Sequence, residues 1–206
     1  MTGFSPPEGF RYLPGHLDRS AQENLVAAIS DVVVQAPLFL PVMPRTGRPF
    51  SVRMSNCGSL GWVSDIAGYR YQRLHPETGQ PWPPIPPSLI ELWEQLTPAA
   101  PAPEACLINF YESGAKMGLH QDRDEQDFAA PVVSISLGDT AVFRIGGTAR
   151  KGPTRSLRLA SGDVVVLGGP ARLAYHGIDR ILFGSSTLIA GGGRINLTLR
   201  RVNPAT

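Results

Sequence analysis

Residues 118–125, GLHQDRDE, place a histidine and an aspartate two positions apart directly after an apolar stretch. In an extended chain residues i and i+2 project to the same face, so His120 and Asp122 can present an imidazole and a carboxylate to one point. Both are side chains that bind metals. Because a His-x-Asp pair also arises by chance, a metal site needs a third ligand.

His176 is the best candidate for that third ligand. It stands 54 residues after Asp122, which leaves room for several strands to return the chain to its starting point. The alternative is a hydrogen-bonded histidine at the end of a strand over residues 171–177. His16 and His75 lie in the N-terminal part of the chain, and we predict that both are at the surface.

Two histidines and one carboxylate leave further positions of a metal open, which is the arrangement of non-haem Fe(II) oxygenases. Zinc remains an alternative, with a closed tetrahedral shell if structural or three ligands and a water if catalytic. The choice of metal therefore depends on what fills the open positions.

The segment RINLTLR, residues 194–200, alternates strictly between polar and apolar side chains. Its polar face carries Arg194, Asn196, Thr198 and Arg200. The two arginines are about 20 Å apart along an extended strand, at about 3.3 Å per residue, and their long side chains can converge on the two carboxylates of a small dianion. The alternative is a solvent-facing edge strand.

The segment LINFY, residues 107–111, repeats this alternation with Asn109 and Tyr111 on one face. A pocket lined by Arg, Asn, Thr and Tyr beside an iron would suit a dicarboxylic keto acid. Such an acid can chelate iron through two oxygens and leave one position for dioxygen.

The elements that must position these side chains are mostly strands. Apolar residues at helical spacing predict helices over residues 17–35 and 87–97. From Ala105 onward, short alternating or β-branched segments separated by Gly, Pro or Asp predict seven or eight strands of a sandwich or barrel. The length of 206 residues suits a single domain.

Composition narrows the class of protein. The apolar share of 42% and charged share of 17% are those of a soluble globular protein, and no apolar run is long enough to span a membrane. The two cysteines have no metal-binding spacing, and the N-terminus lacks the pattern of a signal peptide. These features predict a cytoplasmic protein.

Residues 36–86 have a composition that nucleic-acid-binding surfaces share. There is no acidic residue between Asp31 and Asp65, and arginines alternate with aromatic residues through this region. This combination is typical of a surface that pairs phosphate contacts with base stacking, although core packing of the aromatics is the alternative. Because the net charge is only +2, we expect a local surface with modest affinity that salt weakens.

The run LINFYESGAKMGLHQDRDE, followed in order by PVVSISLG, GDVVVLGG, LAYHGI and RINLTLR, resembles the bacterial AlkB family of Fe(II)- and 2-oxoglutarate-dependent dealkylases. The similarity extends upstream through MSNCGSLGW and GYRY, so that it covers roughly residues 50–201. It implies a double-stranded β-helix, or jelly roll, as the catalytic core in residues 105–206. Residues 1–104 would supply the helices and a nucleotide-recognition lid, which together form an N-terminal substrate-recognition extension.

The resemblance also implies which residues bind the metal and the cosubstrate. The iron ligands would be His120, Asp122 and His176. The distal carboxylate of 2-oxoglutarate would be held by Arg194, Asn196 and Tyr111. The end of 2-oxoglutarate near the iron would be held by Arg200 and Asn109.

Four further residues would recognise the substrate. Trp62 would stack on the damaged base, Asp124 would face its exocyclic amine, Tyr69 would contact a backbone phosphate, and Arg150 would lie close by. Two features depart from the family pattern, namely Leu167, where the prototype has a tryptophan, and the run of three glycines at 191–193. Both concern the tightness of the pocket and the substrate range.

The implied activity is oxidative demethylation of N-alkylated bases such as 1-methyladenine and 3-methylcytosine, preferably in single-stranded DNA. The reaction would use Fe(II) as cofactor and consume O2 and 2-oxoglutarate, with release of formaldehyde, succinate and CO2. We expect a monomer whose partner is alkylated single-stranded DNA, with double-stranded DNA and RNA as alternatives. Two other functions stay open, the same chemistry on RNA, protein or a small molecule, and a nonenzymatic nucleic-acid-binding roll with a structural zinc.

Overall fold

The computed structural model describes residues 4–205, which contain two α-helices and twelve β-strands. The helices are α1, Arg19–Gln35, and α2, Pro87–Leu96. The strands, in chain order, are β1 Phe10–Leu13, β2 Arg53–Gly58, β3 Gly61–Asp65, β4 Gly68–Gln72, β5 Ala105–Tyr111, β6 Met117–His120, β7 Val132–Gly138, β8 Thr140–Gly146, β9 Thr154–Leu159, β10 Val164–Leu167, β11 His176–Leu182 and β12 Arg194–Arg200.

Ten of these strands form two antiparallel sheets. The larger sheet has the order β1-β10-β7-β12-β5-β2, and the smaller has the order β6-β11-β8-β9. Strands β3 and β4 form a separate hairpin. The mainly β fold is the predicted double-stranded β-helix, or jelly roll.

The larger sheet is buried on both faces because its strands alternate their side chains between two cores. One core lies between the two sheets and includes Leu167 of the larger sheet with Phe143 and Ile178 of the smaller. The second core lies between the larger sheet and the helices, where Leu197 and Leu199 of β12 pack. The polar face of β12 therefore points between the sheets, towards the interior.

The two helices cover the outer face of the larger sheet, as predicted. Helix α1 begins after Asp18, whose carboxylate accepts a hydrogen bond of 2.8 Å from the backbone N–H of Ala21. Helix α2 begins at Pro87, whose fixed φ suits the first turn of a helix. Its Trp93 is fully buried and packs in the core between the helices and the larger sheet.

The structure corrects two expectations and excludes one alternative. Residues 172–173 form a turn and residues 174–175 have no regular structure, so that His176 begins β11 instead of ending a strand over 171–177. Strand β12 is not an edge strand, since it pairs with β5 on one side and β7 on the other. His75 is not at the surface; its Nε2 lies 2.8 Å from the carbonyl oxygen of Pro37 in a buried loop.

Strands from the N-terminal half of the sequence complete the larger sheet. Strand β1 pairs with β10, and β2 pairs with β5. The sequence boundary at residue 104 therefore does not divide this sheet. Neither helix in the described residues is long and apolar enough to cross a membrane.

Candidate active site

The three predicted metal ligands meet at one end of the space between the sheets. Strands β6 and β11 pair so that His120 lies opposite His176, and Asp122 follows two residues after the end of β6. Nε2 of each histidine lies 3.7 Å from a carboxylate oxygen of Asp122. One ligand atom from each residue lies within 4.8 Å of the others, which is the spacing that a shared metal ion requires.

Backbone carbonyls determine which nitrogen of each histidine faces this point. Nδ1 of His120 lies 2.9 Å from the oxygen of Gly118, and Nδ1 of His176 lies 3.0 Å from the oxygen of Ala174. A carbonyl oxygen only accepts, so each Nδ1 carries the proton and donates it. Nε2 then keeps its lone pair for a metal, as in other histidine metal sites.

The protonation states of Asp122 and His176 also fit a metal ion. Burial raises the pKa of Asp122, but Arg200, His176, His120 and Arg172 lower it further, so the net pKa lies below its usual value and the group is a carboxylate. Burial and the neighbouring His120 lower the pKa of His176 to about 4, which leaves the imidazole neutral near pH 7. In the described residues no fourth Cys, His, Asp or Glu belongs to this cluster. Two imidazoles and one carboxylate with open positions suit Fe(II).

The distal end of the cavity contains a buried arginine with free hydrogen-bond donors. Arg194 is 1% exposed, and its Nη2 donates to Ser136 and Asn196 at 3.0 and 2.7 Å. Its Nε and Nη1 have no partner among the described residues, and its guanidinium lies over the ring of Tyr111. A buried cation with free donors requires an anion, and a carboxylate of 2-oxoglutarate matches this geometry.

The amide of Asn196 lies next to Arg194 in the cavity. Its Oδ1 accepts from Arg194 and from Ser134, and its Nδ2 donates to Thr198 at 2.8 Å. The amide lines the cavity, and its hydrogen bond from Arg194 helps to orient that guanidinium.

The end of the cavity near the metal has two further free polar atoms. Oδ1 of Asn109 and Nε of Arg200 are buried without a partner in the described part of the chain. Asn109 lies opposite Asn196 in the pairing of β5 and β12, and Arg200 Nη2 donates to Asp122 at 2.7 Å. Both predicted residues therefore lie where a ligand of the metal could contact them.

The hairpin of β3 and β4 forms the other wall of the site. Trp62 on β3 donates from Nε1 to Oδ2 of Asp124 at 2.8 Å. Its ring stacks on Tyr69 of β4 at 5.6 Å with an angle of 20°, and Tyr69 is half exposed. Arg150, in the loop between β8 and β9, is exposed at the cavity mouth.

A single cavity of about 540 Å³ brings together all twelve predicted site residues. They come from four strands of the two sheets, from the hairpin, and from the loops after β6 and β8. Leu167 lines the same cavity from β10. The triglycine run precedes the cavity-lining Arg194, and its last residue, Gly193, has a φ of +100° and donates its N–H to Asp139 at 2.8 Å.

Sequence reasoning missed three residues that support the metal ligands. Glu125 and Arg172 are buried and bonded to each other at 3.0 Å, and Tyr71 donates a hydrogen bond to Glu125. Their local sequence gives little signal, since only the acidic run that follows Asp122 hints at Glu125.

The predicted basic surface in residues 36–86 is smaller than its sequence indicates. Arg53 pairs with Glu112 at 2.6 Å, and Arg70 pairs with Asp65 at 2.7 Å. The remaining arginines of this group are exposed, and they are Arg45, Arg48 and Arg73.

Comparison with known proteins shows the class of enzyme to which the chain belongs. Residues 9–200 match the model of the 2OG-Fe(II) oxygenase superfamily, which is consistent with the donor set of the site. The fold alone is shared with a prolyl-4-hydroxylase from Pseudomonas putida, at a TM-score of 0.54 and 16% identity over 94% of this chain and 92% of that one. The structure of OsALKBH1 has a TM-score of 0.81 and 30% identity, and the match covers 96% of this chain and 98% of that chain.

Curated relatives are more similar still. The chain is 62% identical over 197 residues to an alpha-ketoglutarate-dependent dioxygenase AlkB homolog of Caulobacter vibrioides, covering 96% of this chain and 89% of the relative. It is 46% identical to the alpha-ketoglutarate-dependent dioxygenase AlkB of Escherichia coli, covering 88% and 85%. The chain belongs to the AlkB family of Fe(II)- and 2-oxoglutarate-dependent dioxygenases. Its metal is therefore the iron of an enzyme, and the alternative of a nonenzymatic zinc-containing roll is wrong.

Proposed function

We propose that the enzyme demethylates N-alkylated bases such as 1-methyladenine and 3-methylcytosine in DNA, preferably in a single strand. The observation that carries this proposal is the group of Trp62, Asp124 and Tyr69 at the mouth of the cavity that contains the metal triad. An aromatic face, a carboxylate and an exposed phenol are the groups that a flipped base and its phosphate need.

Trp62 and Asp124 would bind different parts of the methylated base. The base would stack on the face of Trp62 that Tyr69 leaves open. Asp124 is held in place by its bond to the Trp62 indole, and its Oδ1 is left to accept from the exocyclic amine. The negative charge of Asp124 also matches the positive charge of these lesions.

The triad and the buried arginines would hold the groups that perform the oxidation. Iron and 2-oxoglutarate, when bound with O2, supply hydroxylation of the methyl group, with 2-oxoglutarate converted to succinate and CO2 and the methyl carbon lost as formaldehyde. Arg194, with Tyr111 and Asn196, would bind the distal carboxylate of the keto acid, and Asn109 and the free Nε of Arg200 would bind its other end. Arg200 would keep the Asp122 carboxylate oriented.

A nucleic acid is the substrate class that the rim of the site favours. His120, His176, Ile145 and Arg155 form one row across β6, β11, β8 and β9, and paired residues project to the same face. At about 4.8 Å between strands, Arg155 stands on the face of the metal ligands, about 10 Å from His176. No acidic residue lies between Asp139 and Asp163, so this edge attracts phosphate.

Two relatives with narrower matches act on nucleic acids by their names. They are a DNA N(6)-methyladenine demethylase of Arabidopsis thaliana, 37% identical over 48% of this chain, and a tRNA demethylase of Schizosaccharomyces pombe, 34% identical over 50%. RNA is therefore the second candidate substrate. We propose single-stranded DNA as the preferred substrate. An alkylated pairing edge lowers the free energy needed to flip the base, and in a single strand no base pair has to be broken.

Formaldehyde release tests the proposal. Methylated DNA and RNA oligomers of the same sequence are supplied with or without Fe(II) and 2-oxoglutarate, and products are identified by mass. Release should require both additions, disappear in His120→Ala, and be faster on single-stranded DNA. Trp62→Ala should lose base repair but keep slow 2-oxoglutarate turnover; repair at the wild-type rate in this variant would exclude the stacking role.

We also propose that the enzyme is a cytoplasmic monomer and that residues 1–104 contain its nucleotide-recognition lid. Cys57 and Cys106 lie directly opposite each other on β2 and β5 and are both free thiols, which suits a reducing compartment. Light scattering on the purified protein would measure the mass of the particle in solution, and a dimer would contradict the monomer.

A further inference from the structure

A buried cluster of four charged side chains lies directly behind the iron ligands. Glu125 is fully buried and accepts from Arg172 at 3.0 Å and from Arg200 at 3.2 Å. Arg200 uses its other terminal nitrogen to bond Asp122 at 2.7 Å. Two carboxylates balance two guanidiniums, so no charge is left unpaired, and the position of each group depends on the others.

Tyr71 adds a fifth group to this cluster from outside the two sheets. Its hydroxyl donates to Oε1 of Glu125 and accepts from Nη1 of Arg200 at 3.0 Å. The other terminal nitrogen of the same guanidinium bonds the iron ligand Asp122. A guanidinium is planar and rigid, so a shift of the Tyr71 hydroxyl changes the direction from which Arg200 holds Asp122.

Tyr71 belongs to the hairpin that carries the base-binding residues. It lies opposite Trp62 in the pairing of β3 and β4, two residues after Tyr69. This hairpin is a separate two-stranded sheet, so side-chain contacts contribute to its placement over the cavity. It is joined to the segment that follows β6 at two points, from Trp62 to Asp124 and from Tyr71 to Glu125.

We infer that Tyr71 is a positioning residue that couples the base-binding hairpin to the iron ligand Asp122 through Arg200. This inference deepens the proposed function and rests on it. Trp62 senses the base on one strand of the hairpin, and Tyr71 on the other strand transmits the hairpin position to the carboxylate. The benefit is that 2-oxoglutarate is consumed efficiently only when a base is in place.

The test compares Tyr71→Phe with the wild type and with Tyr12→Phe. Tyr12 is a matched control because its hydroxyl also donates to a carboxylate, that of Asp163 at 2.7 Å. It lies on β1, outside the hairpin. Two quantities are measured, the ratio of succinate to formaldehyde formed, and the absorbance of the anaerobic complex with Fe(II) and 2-oxoglutarate before and after a methylated oligonucleotide is added.

In Tyr71→Phe the Fe(II) and 2-oxoglutarate absorbance should still form, but the oligonucleotide should no longer shift it as it does in the wild type. The ratio of succinate to formaldehyde should rise about tenfold, as the loss of a hydrogen bond to a charged group predicts. Tyr12→Phe should match the wild type in both quantities.

Two failures are distinguishable. A wild-type protein that releases no formaldehyde from methylated oligonucleotides overturns the proposed function, and this inference with it. An active wild type with a Tyr71→Phe variant that keeps the shift and the ratio, and only melts at a lower temperature, overturns the inference alone and leaves Tyr71 a packing residue.

Discussion

Arg194 and Arg200 stand on the same face of β12, but their surroundings give them different tasks. Arg200 is bonded to Asp122, Glu125 and Tyr71, and these groups hold its charge in a fixed place. Arg194 bonds only neutral oxygens among its described side-chain partners and keeps two buried nitrogens free. Arg194 therefore has two free donors for an anion from solution, whereas Arg200 has one, Nε, and uses its terminal nitrogens to orient protein groups.

Arg194→Lys should weaken 2-oxoglutarate binding while keeping the charge. A lysine cannot supply two parallel donors, so one hydrogen bond to the carboxylate is lost, at a cost of about 1.5–3 kcal/mol, or a KM for 2-oxoglutarate about 10- to 100-fold higher. Steady-state titration of the cosubstrate measures this effect. Arg19→Lys on the exposed face of α1 is the control, and a normal KM in Arg194→Lys would place the anion elsewhere.

Local patterns made the metal ligands predictable but not the groups behind them. His120 and Asp122 are two residues apart, and the alternation of β12 puts Arg194 and Arg200 on one face. Glu125, in contrast, gains its role from Arg172, 47 residues later, and from Tyr71, 54 residues earlier. Such contacts between distant segments leave no trace in the spacing of either segment.

At the scale of elements, the approach of β6 to β11 fixes the distance between the two histidines. Gly177 follows His176, and a Cβ atom there would lie 2.6 Å from the carbonyl oxygen of Met117 on β6. The prediction of a strand over residues 171–177 was wrong because residues 173–175, Leu-Ala-Tyr, have the apolar composition of a strand. The 3-10 helix Gly169–Ala171 and the turn that follows it instead deliver His176 to the start of β11.

Gly177→Ala should therefore weaken metal binding. The added methyl group meets backbone, which cannot yield without moving β11 away from β6, and such overpacking costs about 1–3 kcal/mol of stability. Titration with Mn(II) or Co(II) measures the affinity, and thermal melting measures the stability. Gly118→Ala on the adjacent strand is the matched control because no atom lies within 4 Å of its Cβ position. Equal affinity in the two variants would show that the strand spacing does not control the site.

Glu104, immediately before β5, binds the segment that follows β12. Its carboxylate accepts from the backbone N–H groups of Val202 and Asn203 at 2.9 and 2.7 Å. Burial raises the pKa of Glu104, but the bonds from Asn203 and Val202 and the charge of Arg201 lower it more, so that the net pKa is below its usual value. The stabilisation is complete above the pKa of the unfolded chain and is lost as the pH falls through the folded pKa.

Glu104→Gln should consequently flatten the acid side of the stability profile. The wild type should lose melting temperature as the pH falls below about 4.5, where the unfolded carboxyl binds its proton. The variant should start lower at pH 7 and lose less over the same range. Melting curves from pH 7 to pH 3 test this, and parallel profiles for both proteins would mean that the tail bonds do not depend on the charge.

At the scale of the whole molecule, the fold gathers into one place side chains that the sequence spreads from Trp62 to Arg200. The strand pattern after residue 105 predicted a sandwich or barrel, and the family resemblance implied the jelly roll, but neither showed that β1 and β2 complete the larger sheet. The sequence of β1 is only four residues long, and its partner β10 lies more than 150 residues away. Neither composition nor periodicity identifies such a pairing.

Arg155→Gln tests whether the charge of the smaller sheet acts on the substrate. Arg155 lies on the face of the metal ligands, whereas Arg158 on the same strand is exposed on the opposite face, since three residues separate them. If Arg155 contacts a phosphate, its loss should raise the KM for methylated oligonucleotides and reduce the slope of log KM against log salt by about 0.7–0.9. Arg158→Gln should leave both quantities at wild-type values, because its charge faces away from the cavity. Equal effects of the two substitutions would mean that the enzyme attracts nucleic acid through its overall charge, and that the row from His120 to Arg155 has no special part in binding.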